Sequence, residues 1–188
     1  MFRVICLIAL GELLSLPWRL RLSAPEWVFH QARSGDQVAV SEARCEIRRA
    51  STGDADTVAG LAGELAQSFT FSRQRFRRGY PALLADGHAC LLVAVDREEH
   101  LGYLLGFWHL TFYANGPVGW VEEVFVRRQD RGRGIGRALM GAFEQWAAVQ
   151  GCALIALATR RAAPFYRALG YEASAVYFRK VLDDQAWE

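Results

Sequence analysis

A glycine- and arginine-rich stretch, RQDRGRGIGR at residues 128–137, contains the residue types that bind a phosphate. Glycine lets the backbone approach an anion closely because it has no Cβ, and arginine adds charge-assisted hydrogen bonds. Apolar residues follow at helical spacing, so the stretch also lies at a helix N-terminus with its partial positive charge. The pattern predicts a pyrophosphate cradle, with a solvated basic turn as the alternative. The predicted contacts are Arg131, Gly132, Arg133, Gly134, Ile135, Gly136 and Arg137.

The glycine spacing separates this stretch from two common nucleotide-binding loops. A dinucleotide fingerprint has the order G-x-G-x-x-G, but the glycines here fall at 132, 134 and 136. A Walker loop ends in lysine followed by serine or threonine, and no lysine occurs in this stretch. The spacing that remains is R-x-x-G-x-G, which runs from Arg131 to Gly136.

The composition favours one α/β domain with a local, rather than a global, basic function. The chain has 188 residues, of which 52% are hydrophobic, and its formal net charge is +2. That balance argues against a nucleic-acid partner. The cysteines form no C-x-x-C pair and the histidines lack metal-ligand spacing, which predicts free thiols and no metal. Arginine richness indicates a G+C-rich coding bias, and we predict a bacterial, cytoplasmic protein.

Residues 1–44 precede the regular pattern and are predicted to form a separate extension, either disordered or a mis-assigned start. Their apolar run resembles a signal peptide, but Gly11 and Glu12 interrupt it and Pro17 ends it. The run is shorter than the ~20 apolar residues of a membrane-spanning helix, so no membrane partner is predicted. The regular pattern belongs to a predicted domain at residues 45–188.

Hydrophobic periodicity predicts the elements that must position the glycine stretch. Their order is β-α-α-β-β-β-α-β-α-β, from about residue 45 to 185. The second helix is expected to break or restart near Pro81. The run CALIALAT at 152–159 has no polar alternation, which predicts a strand covered on both faces. The segment YEASAVYFRKVL at 171–182 predicts a closing strand. The result is a mixed sheet with helices on its faces.

Two segments, VEEVFVRRQDRGRGIGRALM at 121–140 and LATRRAAPFYRALGY at 157–171, resemble the acyl-coenzyme A binding core of the GNAT superfamily of N-acetyltransferases. The resemblance implies an α/β (α+β) domain whose mixed, mostly antiparallel central sheet is flanked by helices and splayed at the cofactor-binding strand. It implies transfer of an acetyl group from acetyl-CoA to a primary amine by direct attack in a ternary complex. It also implies that Val124, Phe125 and Val126 bind the pantetheine arm through their backbone.

The same resemblance suggests residues for proton transfer. An amine with a pKa of about 10 is protonated at pH 7, so a base must remove its proton. Glu122 and Glu123 lie where family members often carry an acidic residue. Neighbouring strand residues face opposite sides, so we predict Glu122 as the base and Glu123 as the second candidate, with a salt bridge to arginine as the structural alternative. Tyr166 matches the family's tyrosine that protonates the leaving thiolate.

The acceptor amine is not identified by the sequence. The aromatic stretch GFWHLTFYANGPVGW at 106–120 lies where the family shapes its acceptor pocket, but its side chains equally suit a core or a homodimer interface. The turn TRRAAP at 159–164 lacks the asparagine with which many members contact the cofactor arm. A non-catalytic acyl-CoA-binding sensor on the same fold is the alternative function, and the presence of both Glu122 and Tyr166 favours the enzyme.

Overall fold

A five-stranded sheet lies at the centre of the residues that the computed structural model describes, which are 45–66 and 69–181. The predicted N-terminal extension, residues 1–44, lies outside them. Strands β1 to β4 pair antiparallel in chain order, and β5 runs parallel to β4, so the predicted mixed, mostly antiparallel sheet is confirmed. The elements are β1 Glu46–Arg49, α1 Ala55–Leu65, α2 Arg73–Ala85, β2 Ala89–Asp96, β3 Glu99–Thr111, β4 Gly116–Val126, α3 Ile135–Val149, β5 Leu154–Leu157 and α4 Ala163–Ala168.

Helices cover both faces of the sheet and create two apolar cores. On one face α3 buries Met140 and Phe143 completely. On the other face α1 and α2 bury Leu61 and Tyr80. Successive residues of β2 alternate between the two cores, as the two-residue period of a strand requires. In the described part of the chain, none of the helices is long and apolar enough to cross a membrane.

Gly106 allows α3 to pack closely against the sheet, and Gly119 leaves room for a side chain of β5. A Cβ at Gly106 would overlap the ring of Phe143 and would lie 2.9 Å from the carbonyl oxygen of Trp120. A Cβ at Gly119 would lie 3.1 Å from Cγ1 of Ile155. Because protein interiors are packed without room for an extra methyl group, α3 requires glycine at the first position.

A buried carboxylate fastens the start of α1 to the sheet. Asp54, which is 3% exposed, accepts two hydrogen bonds of 2.7 and 2.8 Å from Arg48 and one of 2.7 Å from the amide of Ser51. Nε2 of His100 lies 2.6 Å from Oδ1 of Asp54. The bond from Arg48 is the main reason why the pKa of Asp54 is lowered. The carboxylate therefore ties β1, β3 and α1 together.

The break predicted near Pro81 is wrong, because α2 is continuous through this residue. A proline inside a helix removes one backbone donor and costs about 3 kcal/mol. Tyr80, which is 4% exposed, anchors the same turn, and its hydroxyl donates a 2.8 Å hydrogen bond to the carbonyl of Ser51. Tertiary contacts of this helix face thus outweigh the local preference of proline.

Two predictions for the C-terminal part of the domain are also wrong. Residues 171–181 form neither a helix nor a strand, although their side chains suggested a closing strand. The strand β5 is not covered on both faces, since Leu154 is 40% exposed. Among the described residues β5 is the last strand of the sheet, and an edge strand has fewer neighbours to cover its apolar side chains.

Candidate active site

The strand β4 continues beyond the end of β5. The pairing of the two strands stops at Val121 and Leu157, whereas β4 continues to Val126 and is paired there with β3. The edge of β4 that carries Val124, Phe125 and Val126 is therefore not covered by β5 in the described sheet. Peptide groups on such an edge can form hydrogen bonds with an extended chain that contains amides. The splayed strand that the sequence predicted is confirmed.

The glycine-rich turn follows directly and leads into α3. Gly132 and Gly134 have φ values of 79° and 80°, in the left-handed region that favours glycine. The helix begins at Ile135, so the amides from this residue onward belong to a first turn without intrahelical acceptors. A Cβ at Gly136 would lie 3.1 Å from Cζ of Phe165, which explains the third glycine by packing. The turn has the backbone arrangement that holds an anion at a helix N-terminus.

Arg133 pairs with carboxylates of the protein. It donates to Oδ1 of Asp130, which is 7% exposed, and its Nη2 lies 3.6 Å from Oδ2 of Asp96. These contacts connect the glycine turn to the preceding 3-10 turn and to the end of β2. The guanidinium therefore holds the turn in place and has part of its charge balanced by aspartate.

The other two predicted arginines also contact the backbone around the turn. Nε of Arg131 donates to the carbonyl oxygen of Val126 at 3.1 Å, and its guanidinium lies 5.9 Å from the ring centre of Phe125. Nη2 of Arg137 donates to the carbonyl oxygen of Ala168 at 3.2 Å. Both side chains remain exposed, so each can turn a further donor toward a ligand.

A β-bulge lies at the two glutamates of β4. In the register with β3, Glu123 is opposite Leu105 and Val121 is opposite Gly106, which leaves Glu122 as the extra residue. A bulge interrupts the regular alternation of side chains and increases the local twist. The sequence argument that adjacent residues face opposite sides therefore does not apply at this point of the strand.

The two glutamates have different surroundings. Glu122 is exposed and accepts a 2.8 Å hydrogen bond from Nε1 of Trp120. Glu123 is partly buried and accepts a 2.6 Å hydrogen bond from the hydroxyl of Tyr103. Burial raises the pKa of Glu123, the bond from Tyr103 opposes that rise, and the charge of Glu122 adds to it. A carboxylate with a raised pKa accepts a proton more readily near neutral pH.

Tyr166 lies on α4, which has Pro164 in its first turn and Gly170 with φ 93° after its end. Its ring meets Phe165 and Tyr171 edge-on, with centroid distances of 5.0 and 6.0 Å. The side chain lines an open groove of about 930 Å³ along β5, and burial raises the pKa of Tyr166. Its hydroxyl is therefore protonated at neutral pH and can donate a proton.

Sequence reasoning missed Tyr103 and Trp120 as partners of the two glutamates. Tyr103 was interpreted only as part of an apolar strand, and Trp120 as part of the aromatic stretch at 106–120. The available signal is a hydroxyl group at Tyr103 within an otherwise apolar run, because a buried phenol requires a hydrogen-bond acceptor. The identity of the hydrogen-bond acceptor, Glu123, depends on the pairing register of β3 and β4, which the sequence pattern did not fix.

Comparison with known proteins agrees with this architecture. Residues 60–171 match the Acetyltransferase (GNAT) family. The chain is 33% identical over 144 residues to the aminoalkylphosphonate N-acetyltransferase of Salmonella typhimurium, which covers 73% of this chain and 92% of the relative. It is 35% identical over 115 residues to the aminoglycoside N(6')-acetyltransferase type 1 of Stenotrophomonas maltophilia, which covers 54% of this chain and 72% of the relative.

Solved structures share the fold. The crystal structure of a transcriptional regulator from Bacillus halodurans C-125 aligns with a TM-score of 0.67 and 25% identity, over 73% of this chain and 99% of that chain. The aminoglycoside N-acetyltransferase AAC(6')-Iy in complex with CoA aligns with a TM-score of 0.64 and 21% identity, over 72% of this chain and 94% of that chain. With the family match and the relatives above, the chain belongs to the GNAT family of acetyltransferases and is an N-acetyltransferase.

Proposed function

We propose that this enzyme transfers the acetyl group of acetyl-CoA to a primary amine of a small molecule, by direct attack of the amine in a ternary complex. The observation that carries the proposal is the uncovered edge of β4 immediately before the glycine turn. That edge suits the amide-containing pantetheine arm, at Val124, Phe125 and Val126. The helix N-terminus suits the pyrophosphate, at residues 131–137. When bound, acetyl-CoA supplies a thioester, which is an acyl group activated for attack.

Glu123 is the general base in this proposal, in preference to Glu122. Its carboxylate is partly buried and its pKa is raised, so it has a greater affinity for the amine proton at neutral pH. Glu122 lacks this burial, because its side chain is exposed, and its own hydrogen bond is with Trp120. The geometry at the bulge therefore supports the second of the two carboxylates that the sequence suggested.

Tyr166 is the general acid. Its hydroxyl is the proton source for the departing thiolate, and the two groups have neighbouring pKa values in water, about 10 and 8.5. Burial keeps the phenol protonated. The side chain lines the groove beside β5, together with Trp120 of β4. The acid and the base thus act from different elements, which suits a reaction with separate proton donor and acceptor.

The acceptor is proposed to be a small cationic amine. Both relatives named above act, by their names, on small amines: an aminoalkylphosphonate and an aminoglycoside. The exposed carboxylate of Glu122 and the indole of Trp120 lie next to Glu123 on β4. An anion beside an aromatic ring attracts an ammonium group. These two side chains would therefore orient the amine toward the base.

The test is an acetyl-transfer assay that follows the release of free thiol from acetyl-CoA over a panel of amines. The panel contains aminoalkylphosphonates, aminoglycosides and a peptide with a free N-terminus. We expect turnover with at least one small amine and none with the peptide. Calorimetry with acetyl-CoA separates the two halves of the proposal, because binding without turnover on any amine would favour the acyl-CoA sensor. Absence of binding at tens of micromolar would contradict the assigned cofactor site.

A further inference from the structure

We infer that Tyr103 is a positioning residue for the acetyl-transfer reaction, because its hydroxyl holds the carboxylate of Glu123 in the orientation needed to take a proton from the amine. The inference rests on the proposed role of Glu123. It adds a residue on a different strand whose only polar group is directed at the base. The Tyr103 hydroxyl donates a hydrogen bond of 2.6 Å to Oε2 of Glu123.

Tyr103 is a fixed anchor. It lies in the middle of β3, opposite Phe125 in the register with β4, and is 1% exposed. Its ring belongs to the core formed with α1 and α2, which also contains Leu61 and Leu105. A ring packed in this way cannot change its rotamer without opening a cavity. The hydroxyl is therefore a donor at a constant position beneath the bulge.

Glu123, in contrast, has a flexible side chain that requires such an anchor. A glutamate has three rotatable bonds, and ordering it without a partner costs conformational entropy. The bond to Tyr103 engages Oε2. Oε1 is then the oxygen left to accept the proton of the amine. A reacting group held in one geometry contributes to rate through orientation alone.

The hydroxyl also tunes the affinity of this carboxylate for a proton. Among the described residues, the titratable groups that act on Glu123 are Tyr103 from β3 and Glu122 from β4. Burial and Glu122 favour the neutral acid, whereas the bond from Tyr103 favours the carboxylate. Removing the hydroxyl should therefore raise the pKa of Glu123. The base would then lose its proton only at a higher pH.

The experiment compares Tyr103→Phe with the wild-type enzyme in the pH dependence of kcat/KM, measured with the best amine of the panel. We expect the acidic limb to move to higher pH by about one unit, and kcat at pH 7 to fall about tenfold. The KM for acetyl-CoA should stay within about twofold, because the hydroxyl contacts only the base. A fall in activity with an unchanged acidic limb would overturn the inference.

Tyr80→Phe is the matched control. Tyr80 is also buried in the α1 and α2 core, and its hydroxyl donates a 2.8 Å bond, but the acceptor is the carbonyl of Ser51. Loss of that hydroxyl should lower thermal stability without moving the acidic limb. An equal displacement of the limb in Tyr80→Phe would mean that any loosening of the core causes it, which would contradict a specific role of Tyr103.

A graded replacement covers the case in which Tyr103→Phe does not fold. Site-specific incorporation of 3-fluorotyrosine at position 103 preserves the shape of the ring and makes the hydroxyl a stronger donor. We expect the acidic limb to move to lower pH, the opposite direction to phenylalanine. No displacement would refute the inference. Glu123→Gln separates the two proposals: if this variant keeps the activity and the acidic limb of the wild type, the base assignment fails, and Tyr103 fails with it.

Discussion

Replacing Glu123 with glutamine tests the base directly. Glutamine has nearly the same shape, and its carbonyl oxygen can accept the hydrogen bond that Tyr103 donates over 2.6 Å. The variant therefore loses the proton acceptor and little else. General base catalysis contributes about 10²–10⁴-fold, which corresponds to about 3–5 kcal/mol at 1.36 kcal/mol for each tenfold change. We expect kcat/KM at pH 7 to fall by a factor in this range.

Glu122→Gln provides a matched comparison one residue away. The side chain is exposed and makes a 2.8 Å hydrogen bond with the indole of Trp120. Exposed charges contribute at most about 1 kcal/mol, so the expected loss is below about tenfold and should appear mainly in the KM for the amine. The assay is the initial rate of thiol release from about pH 5 to pH 10, which records both limbs of the profile.

Glu123→Gln also has a predicted effect on the thermal stability of the protein. Burial raises the pKa of Glu123, so the folded protein binds a proton at this site more tightly than the unfolded chain does. The stability that this proton contributes is fully present below the unfolded pKa and is lost as the pH rises through the folded pKa. At neutral pH, glutamine avoids the cost of a buried charge. We expect the Tm of Glu123→Gln to equal or exceed that of the wild type while activity falls.

The result that would refute this reasoning is specific. If Glu122→Gln loses 10²-fold or more and Glu123→Gln stays within about threefold, then the exposed glutamate is the base and the assignment by burial is incorrect. A Glu123→Gln variant whose Tm falls sharply would show instead that the carboxylate has a structural role. Circular dichroism and a calorimetric binding measurement with acetyl-CoA distinguish that outcome from loss of catalysis alone.

Three further predictions follow from other sites. Tyr166→Phe should lower kcat about 10²-fold with an unchanged Kd for acetyl-CoA, and should remove the basic limb of the kcat profile, since burial raises the pKa of that phenol. Gly106→Ala on β3 should lower stability in urea unfolding by about 1–3 kcal/mol, because its Cβ would overlap Phe143 of α3, whereas Gly141→Ala on α3 has open space and should be neutral or stabilising. Asp54→Asn should destabilise by about 2–4 kcal/mol at pH 7, a difference that shrinks as the pH falls below about 4, because the stability from the lowered pKa of Asp54 is complete above the unfolded pKa and is lost as the pH falls through the folded pKa.

The glycine turn was predictable because its determinants are local. The left-handed conformations of Gly132 and Gly134 and the start of α3 at Ile135 follow from a few consecutive residues between an apolar strand and an apolar helix. The order of the strands and helices up to α4 was predictable for the same reason, since each element shows its own period. The capping box of the 3-10 turn, in which the amide of Ser51 donates to the side chain of Asp54, is also local, since both residues lie within the sequence STGD.

The surroundings of the glutamates were not predictable, because they depend on residues distant in sequence. The bulge at Glu122 is a property of the pairing between β3 and β4, and no residue type in VEEV marks it. The partner of Glu123 is Tyr103, which lies on a different strand. The conformation of residues 171–181 was not predictable either, because an alternating segment forms a strand only if it pairs with the edge of a sheet.

The bulge in β4 has a consequence for how this enzyme could change its acceptor during evolution. It separates the strand into a first part up to Val121, which runs beside β5, and a second part from Glu123 to Val126, which follows β3 alone. A substitution or a shift of register in the first part, such as at Trp120, is absorbed at the extra residue and need not displace the second part. Under the proposed function, new amines can therefore be explored without disturbing the half of the strand that we propose binds acetyl-CoA.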